Sequence, residues 1–426
     1  FKKNSSLHFC GIIKNKYMKN IFTSIALVFS IAAFAQQADS VQTLRGNFEI
    51  YYDFETQSKY SISSSAWDIG LTTDMRDASI LINENAGAEL YLYSTDTSQW
   101  STLDTTGFAF DNIYNSEDNW AEGAFANQGT RHPDYGWGIY NMNSHDINGN
   151  RLFILKNREG AYLKVVVDKM SSRGDFTIRT ANLDGSNAQT HSYSKMNPIT
   201  KDRNFALLDI ASNGVTAENP NTGDWDVKFT RYVTTVMQGP ISQDMAVSGL
   251  KVNKGYEVAE RTGVDVTSND TSALSWSTSI TEIGYDWKSF DRGTFQYNMT
   301  PDLTYFVRTT NGAIWKIYFT NYQGGAVGQS NFTIEEIKAG VTSASNTIAA
   351  NTTIYPNPVR DVLNINNEEA INLDIVLTDI QGTTVANSVV QAFGTATINT
   401  SDLTSGIYFL EMKSETASYT KRVLVD

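Results

Sequence analysis

Side chains able to do chemistry are few in this sequence. There are four histidines, His8, His132, His145 and His191, and one cysteine, Cys10. One thiol makes neither an internal disulfide nor a cysteine-based zinc site. Asp134 follows His132 and Asp146 follows His145, so a carboxylate stands where it could orient an imidazole. No serine sits in a nucleophile elbow, however, so neither pair completes a nucleophilic triad. Asp146-Ile147-Asn148-Gly149-Asn150 places oxygen donors at alternate positions, as a calcium loop does. Arg151 then stands where that loop needs glycine, and Asn157 where it needs glutamate. The stretch therefore reads as a turn with Asn-Gly at its tip. Glu335-Glu336 fall next to each other on a predicted strand, where successive side chains face opposite ways and cannot share acid and base work. Glu84, Glu89, Asp111, Glu117 and Asp118 are scattered, and no phosphate-binding or dinucleotide fingerprint occurs. The expected function is binding, not catalysis.

The elements that must carry these residues are strands. Apolar residues make up 41% of 426, with 8 Trp, 21 Tyr and 21 Phe, which excludes global disorder. Charged residues are only 19%, so polarity comes from Ser, Thr, Asn, Gln and Gly, a mixture that favours strands and turns over charged helices. The net charge of −13 leaves no electrostatic reason to hold nucleic acid or an anionic membrane.

Both ends read as addresses. Residues 1–17 precede Met18 and are expected to lie upstream of the true start. Residues 18–35 then have the form of a signal peptide: Lys19-Asn20, the apolar run Ile21–Ala32, and Ala33-Phe34-Ala35 as the small-residue cleavage site. The run is too short to be expected as a membrane span. Setting aside those 35 residues and their five lysines leaves 28 bases against 46 acids and no cysteine. Near the other end, Tyr355-Pro356-Asn357-Pro358 is followed by short alternating runs, by Gly406-Ile407-Tyr408, and by a close on Lys421-Arg422-Val423-Leu424-Val425. This spacing predicts a small immunoglobulin-like β-sandwich over 350–426. Its motifs resemble the C-terminal sorting domain of the Bacteroidetes type IX secretion system. The resemblance implies export through that machinery to the cell surface or beyond, with a linker over 339–349.

The middle repeats itself. Trp67-Asp68-Ile69-Gly70-Leu71 corresponds to Trp225-Asp226-Val227-Lys228-Phe229, and Tyr135-Gly136-Trp137 to Tyr285-Asp286-Trp287. Leu152–Gly160 corresponds to Thr304–Gly312, and Tyr162–Val167 to Ile314–Phe319. Asn311-Gly312 predicts a tight hairpin with both residues at positive φ. Two tandem all-β domains are expected, over 45–186 and 200–338. Each Trp fills a core and each Asp satisfies a turn or an indole N–H.

These landmarks resemble the HmuY family of secreted, all-β, haem-binding proteins. The resemblance implies haem as cofactor, with iron held between two side-chain donors. The zone after the late Trp carries such donors in the first copy: Met142 and His145 follow Trp137, and His132 precedes it. In the second copy the zone Trp287-Lys288-Ser289-Phe290-Asp291-Arg292 has no histidine, leaving Met299, Met237 and Met245 as soft donors. A second class stays open, an adhesin-like protein binding carbohydrate or protein on exposed rings. Trp100, Trp120, Trp137, Trp276 and Trp287 are candidates for such platforms, although each reads first as core.

Overall fold

The computed structural model describes residues 36–130, 132–339, 351–368, 370–414 and 418–426. The expected upstream segment, signal peptide and almost all of the linker lie outside them. Among the described residues the protein is built of strands, with one helical turn, Gly324–Val327, and short 3-10 segments. The chain begins with β1 Gln37–Gln42, β2 Phe48–Tyr52, β3 Lys59–Ser63, β4 Ile69–Thr72, β5 Ile80–Ile82 and β6 Glu89–Ser94. It continues through β7 Gly138–Tyr140, β8 Ile147–Gly149, β9 Leu152–Lys156, β10 Tyr162–Met170, β11 Asp175–Asn182 and β12 Gln189–Ser194. Then come β13 Phe205–Asp209, β14 Gly214–Thr216, β15 Val227–Gln238, β16 Ile241–Val252 and β17 Glu257–Arg261. The body closes with β18 Lys288–Asp291, β19 Gln296–Met299, β20 Thr304–Arg308, β21 Ile314–Tyr322 and β22 Gln329–Lys338.

The repeat is visible in the details. The β10–β11 ladder slips between Val167 and Lys169, and β21–β22 slips at the matching place between Phe319 and Asn321. Asn83 donates through its side chain to the carbonyls of Ser64 and Trp67, as Asn253 does to those of Thr222 and Trp225. The hairpin at Asn311-Gly312 differs from expectation. Only Gly312 has positive φ, at 82°, because the loop spans residues 309–313 and needs a left-handed residue only at its glycine.

The folding units are drawn differently from the expected pair at 45–186 and 200–338. Hairpin β2–β3 joins β15–β16 in the sheet β16-β15-β2-β3, while hairpin β13–β14 joins β4–β5 in the sheet β14-β13-β4-β5. β1 pairs with β22 along all six of its residues, in the sheet β1-β22-β21-β20-β17. The first lobe is thus β4 to β14, and the second is β15 to β22 completed by β1 to β3. The first strands of the body close its last sheet.

Alternation then layers the body. β13 gives Ala206 and Leu208 to the first core and Phe205 and Leu207 to the second. On β2 and β15, Ile50, Tyr52, Val227 and Phe229 point into the second core with Ile317, Phe332 and Ile334. Their alternate neighbours Glu49, Tyr51, Lys228 and Thr230 face Trp67, Leu81 and Trp120 between the lobes. That layer holds buried charge. Glu49 accepts from Lys228 Nζ at 3.0 Å and from Thr230 Oγ1 at 2.7 Å, and the ammonium lies 5.4 Å from the ring centroids of both Tyr51 and Trp120. Burial pulls the Lys228 pKa down, but the Glu49 carboxylate outweighs it and holds the ammonium above its usual range.

Residues 351–426 form a separate small core. One sheet is β23 Thr352–Tyr355, β24 Val362–Asn367 and, beyond the next two strands, β27 Thr395–Asn399. The other contains β25 Leu373–Thr378, β26 Thr384–Val390, β28 Gly406–Lys413 and β29 Ser418–Val425. Leu363, Ile365, Ile375, Leu377, Leu410 and Val423 fill the space between the sheets. This is the predicted sandwich.

Candidate functional site

The structure separates Trp137 from the other first-copy candidates and gathers the two histidines around Tyr140. Trp137 is fully buried, and its indole N–H donates to the Ala78 carbonyl at 2.9 Å, so it is core. The His132 ring stands 4.9 Å from that of Tyr140, and His145 Nδ1 is 2.6 Å from the Tyr140 hydroxyl. Both histidines therefore rest on one tyrosine. Met142 is 70% exposed in the turn between β7 and β8. The acids nearby are committed elsewhere: Asp134 takes both ends of the Arg151 guanidinium at 2.8 Å, and Asp146 pairs with Lys169 at 2.7 Å. Neither carboxylate orients the adjacent histidine. Among the described residues no cluster of three or more His, Cys, Asp or Glu is arranged to hold a metal ion.

The second copy builds a groove. β2 pairs with β15 only at Val227–Phe229, so the rest of the β15–β16 hairpin runs on as a two-stranded arm. The arm, the β18–β19 hairpin, the end of β21 and the loop at Arg45 enclose about 830 Å³. Its cations are Arg45, Arg231, Lys288 and Arg292, and its rings are Tyr285, Phe290, Tyr297 and Tyr322. Met237 and Met245 also line it. A cleft of this size with a few placed polar groups is the usual form of a small-ligand site.

Lys288 is the most constrained of these groups. Its ammonium lies 3.8 Å from the Trp287 ring centroid and 4.7 Å from that of Tyr322, and donates to the carbonyls of Ser248 at 2.7 Å and Tyr285 at 3.1 Å. Burial pushes its pKa down to about 7, against the opposing pull of Asp286. Trp287 itself is core, stacked on Phe319 with centroids 3.8 Å apart. Met299 is half-buried, pairs with Lys288 across β18–β19, and packs on the edge of the second core.

Met245 is opposite Thr234 and Met237 opposite Ser242, so alternation sends the thioethers to opposite faces of the arm. Met237 and Met245 line the groove and Met299 packs on the edge of the second core, while in the first lobe His132 and His145 both meet Tyr140 and Met142 lies exposed in the neighbouring turn. The cations that do converge went unread in the sequence. The run Trp287-Lys288-Ser289-Phe290-Asp291-Arg292, followed by Phe295 and Tyr297, interleaves rings and cations, and that signal could have found half the groove. Nothing local marks Arg45 or Arg231.

The first lobe carries a surface patch instead. Phe110 and Tyr162, 44% and 39% exposed, lie 5.6 Å apart and continue through Phe108 and Tyr91 at 4.9 and 5.0 Å. Trp100, Trp120 and Trp276 are not free platforms. Trp100 lies under Lys164 and Arg179, Trp276 under Arg308 at 3.7 Å, and Trp120 is buried with its N–H on the Val252 carbonyl.

The C-terminal motif residues have clear places. Tyr355 ends β23, half exposed, and both prolines follow cis bonds. Asn357 donates to the Arg422 carbonyl at 2.9 Å and accepts the Leu424 N–H at 2.8 Å, tying the opening motif to the closing strand that carries Lys421. Gly406 starts β28, and Tyr408 is buried with its hydroxyl on the Thr404 carbonyl at 2.8 Å.

Residues 353–426 match the family model of the secretion system C-terminal sorting domain. The chain is therefore exported by type IX secretion to the cell surface or the extracellular space. No curated protein matches it. A solved biofilm-associated protein BSP domain aligns over 92% of this chain and 81% of its own at 9% identity, with a TM-score of 0.18 that carries no argument about fold. No helix among the described residues is long and apolar enough to cross a membrane.

Proposed function

We propose that this exported chain is a ligand-capture protein rather than an enzyme, and that the groove beside the β15–β16 arm is its site. The observation that carries the reading is the groove itself, four rings and four cations converging in a strongly acidic chain. Such walls suit a flat, acidic, largely apolar ligand. The resemblance to the HmuY family supports haem or another tetrapyrrole as that ligand, and the Trp-Asp repeats support the HmuY-like reading of the body. The test is an absorbance titration of the secreted protein with haemin. Binding should saturate at one site and weaken on Phe290→Ala and Tyr297→Ala. A titration without a saturable spectral change would refute the reading.

The second reading is an adhesin binding carbohydrate or protein. The exposed rings of Phe110 and Tyr162 favour it. Saccharide binding lost on Phe110→Ala and untouched by groove variants would support it over tetrapyrrole capture.

A further inference from the structure

We infer that the groove recognises the acid groups and the flat face of its ligand, with Arg45 and Arg231 as the acid-binding pair, and does not select for a metal at the ligand's centre. This rests on the groove being the ligand site.

The first observation is unspent charge. Arg151, Arg158, Arg179 and Arg308 each pair with a carboxylate. Arg45, Arg231 and Arg292 pair with none among the described residues, as is also true of Arg76, Arg173, Arg203 and Arg261 elsewhere, and what sets the three apart is that they line one groove. In a chain with 46 acids and 33 bases, three arginines left without carboxylates in one cleft mark a place for an anion.

The second observation is how Arg45 is held. Leu44, Arg45 and Gly46 have successive φ values of 46°, 62° and 81°, a left-handed run unusual for side-chain-bearing residues. A Cβ on Gly46 would lie 2.5 Å from Arg231 Cδ, so the absent side chain lets the loop close onto the Arg231 stem. The sequence accepts local strain and a required glycine to pack the loop that carries Arg45 on the Arg231 stem, with both arginines lining the groove.

The third observation is the donor geometry. No histidine lines the groove, and its two thioethers leave opposite faces of the arm. Rings, guanidinium groups and Lys288 remain to hold a ligand; burial raises the pKa of the Tyr285 and Tyr322 phenols, which disfavours them as phenolate donors to a metal, and the remaining groups read π-faces and acids.

The experiment uses the full secreted chain, quenching of tryptophan fluorescence, and three probes: metal-free protoporphyrin, its dimethyl ester and haemin. The free acid and haemin should bind within about threefold of each other. The ester should bind about tenfold or more weakly, the loss of a charge-assisted contact. Arg45→Gln, on an exposed loop, should weaken the free acid about tenfold and leave the ester unchanged, and Arg231→Gln should do the same. Tight haemin with no metal-free binding overturns the inference and leaves the groove reading standing. So does an ester that binds as well as the acid. Failure of all three probes overturns the groove reading and the inference with it.

Discussion

Asp226 Oδ2 accepts the backbone N–H of Phe54 at 2.5 Å, from a residue 172 positions earlier. Its repeat counterpart Asp68 accepts the N–H of Ile210 at 2.9 Å. Each Trp-Asp motif thus clasps the hairpin that the other half of the chain supplies. Asp226 also accepts the Tyr256 hydroxyl at 2.9 Å, while Asp68 takes Arg158 instead. Neither Asp serves its neighbour's indole, and the Trp67 N–H has no partner.

Burial raises the Asp226 pKa from 3.8 to about 6, against the two donors. A carboxyl whose folded pKa lies above its unfolded value adds stability that is complete below pH 3.8 and lost as pH rises through 6. Asp226→Asn should therefore flatten the pH dependence of urea unfolding across that window, by up to about 3 kcal/mol. An unchanged slope would show that Asp226 does not titrate there. Asp226→Ala should cost about 3 kcal/mol at pH 7 by orphaning two buried donors.

β1 closes the second lobe at its edge, with Val41 buried in the core. Val41→Asp should destabilise the protein by about 3 kcal/mol by burying an unpaired charge. Deleting residues 36–43 should expose the β22 edge and promote self-association. A peptide of residues 36–43 added in trans should restore the monomer in size-exclusion chromatography. Persistent aggregates with excess peptide would count against an edge that only β1 covers.

The Glu49–Lys228 pair invites a double-mutant cycle. Lys228→Met leaves a buried carboxylate whose Oε2 is already without a partner, and should cost about 4 kcal/mol. Lys228→Met with Glu49→Leu should recover most of that loss in chemical denaturation. Additive losses would mean that the two charges do not depend on each other.

Lys288 predicts how capture responds to pH. Its folded pKa of about 7 lies below 10.5, so its own contribution to stability is present above 10.5 and lost as pH falls through 7. The charge that an acidic ligand uses runs the other way. Affinity for metal-free protoporphyrin should fall about tenfold between pH 6 and pH 8, and Lys288→Met should abolish that step. A step of equal size in the variant would assign it to another group.

Removing residues 351–426 should leave the protein inside the cell envelope, since the sorting domain lies in that segment. Fractionation and immunoblotting of culture supernatant would show it. Export undiminished by the deletion would deny the segment its role.

Several features were legible in the sequence because they are local. The sorting domain announces itself in contiguous motifs, Tyr355-Pro356-Asn357-Pro358 and the basic-aliphatic end, and its sandwich follows from alternation. The all-β class followed from the same pattern, and the repeat from the order of Trp67, Trp137, Trp225 and Trp287. Alternation tells which side of a strand is buried but not which edge it pairs with. β2–β3 and β13–β14 are equivalent hairpins, and only folding decided that each completes the other half. The site depended on that exchange. Arg45 precedes the exchanged hairpin and Arg231 lies on the strand that receives it, 186 residues apart in the chain. Long-range pairing, which carries no local signature, sets them together. The histidines and methionines that looked chemical by type were placed by their own turns and strands, on one tyrosine or on opposite faces of a ladder.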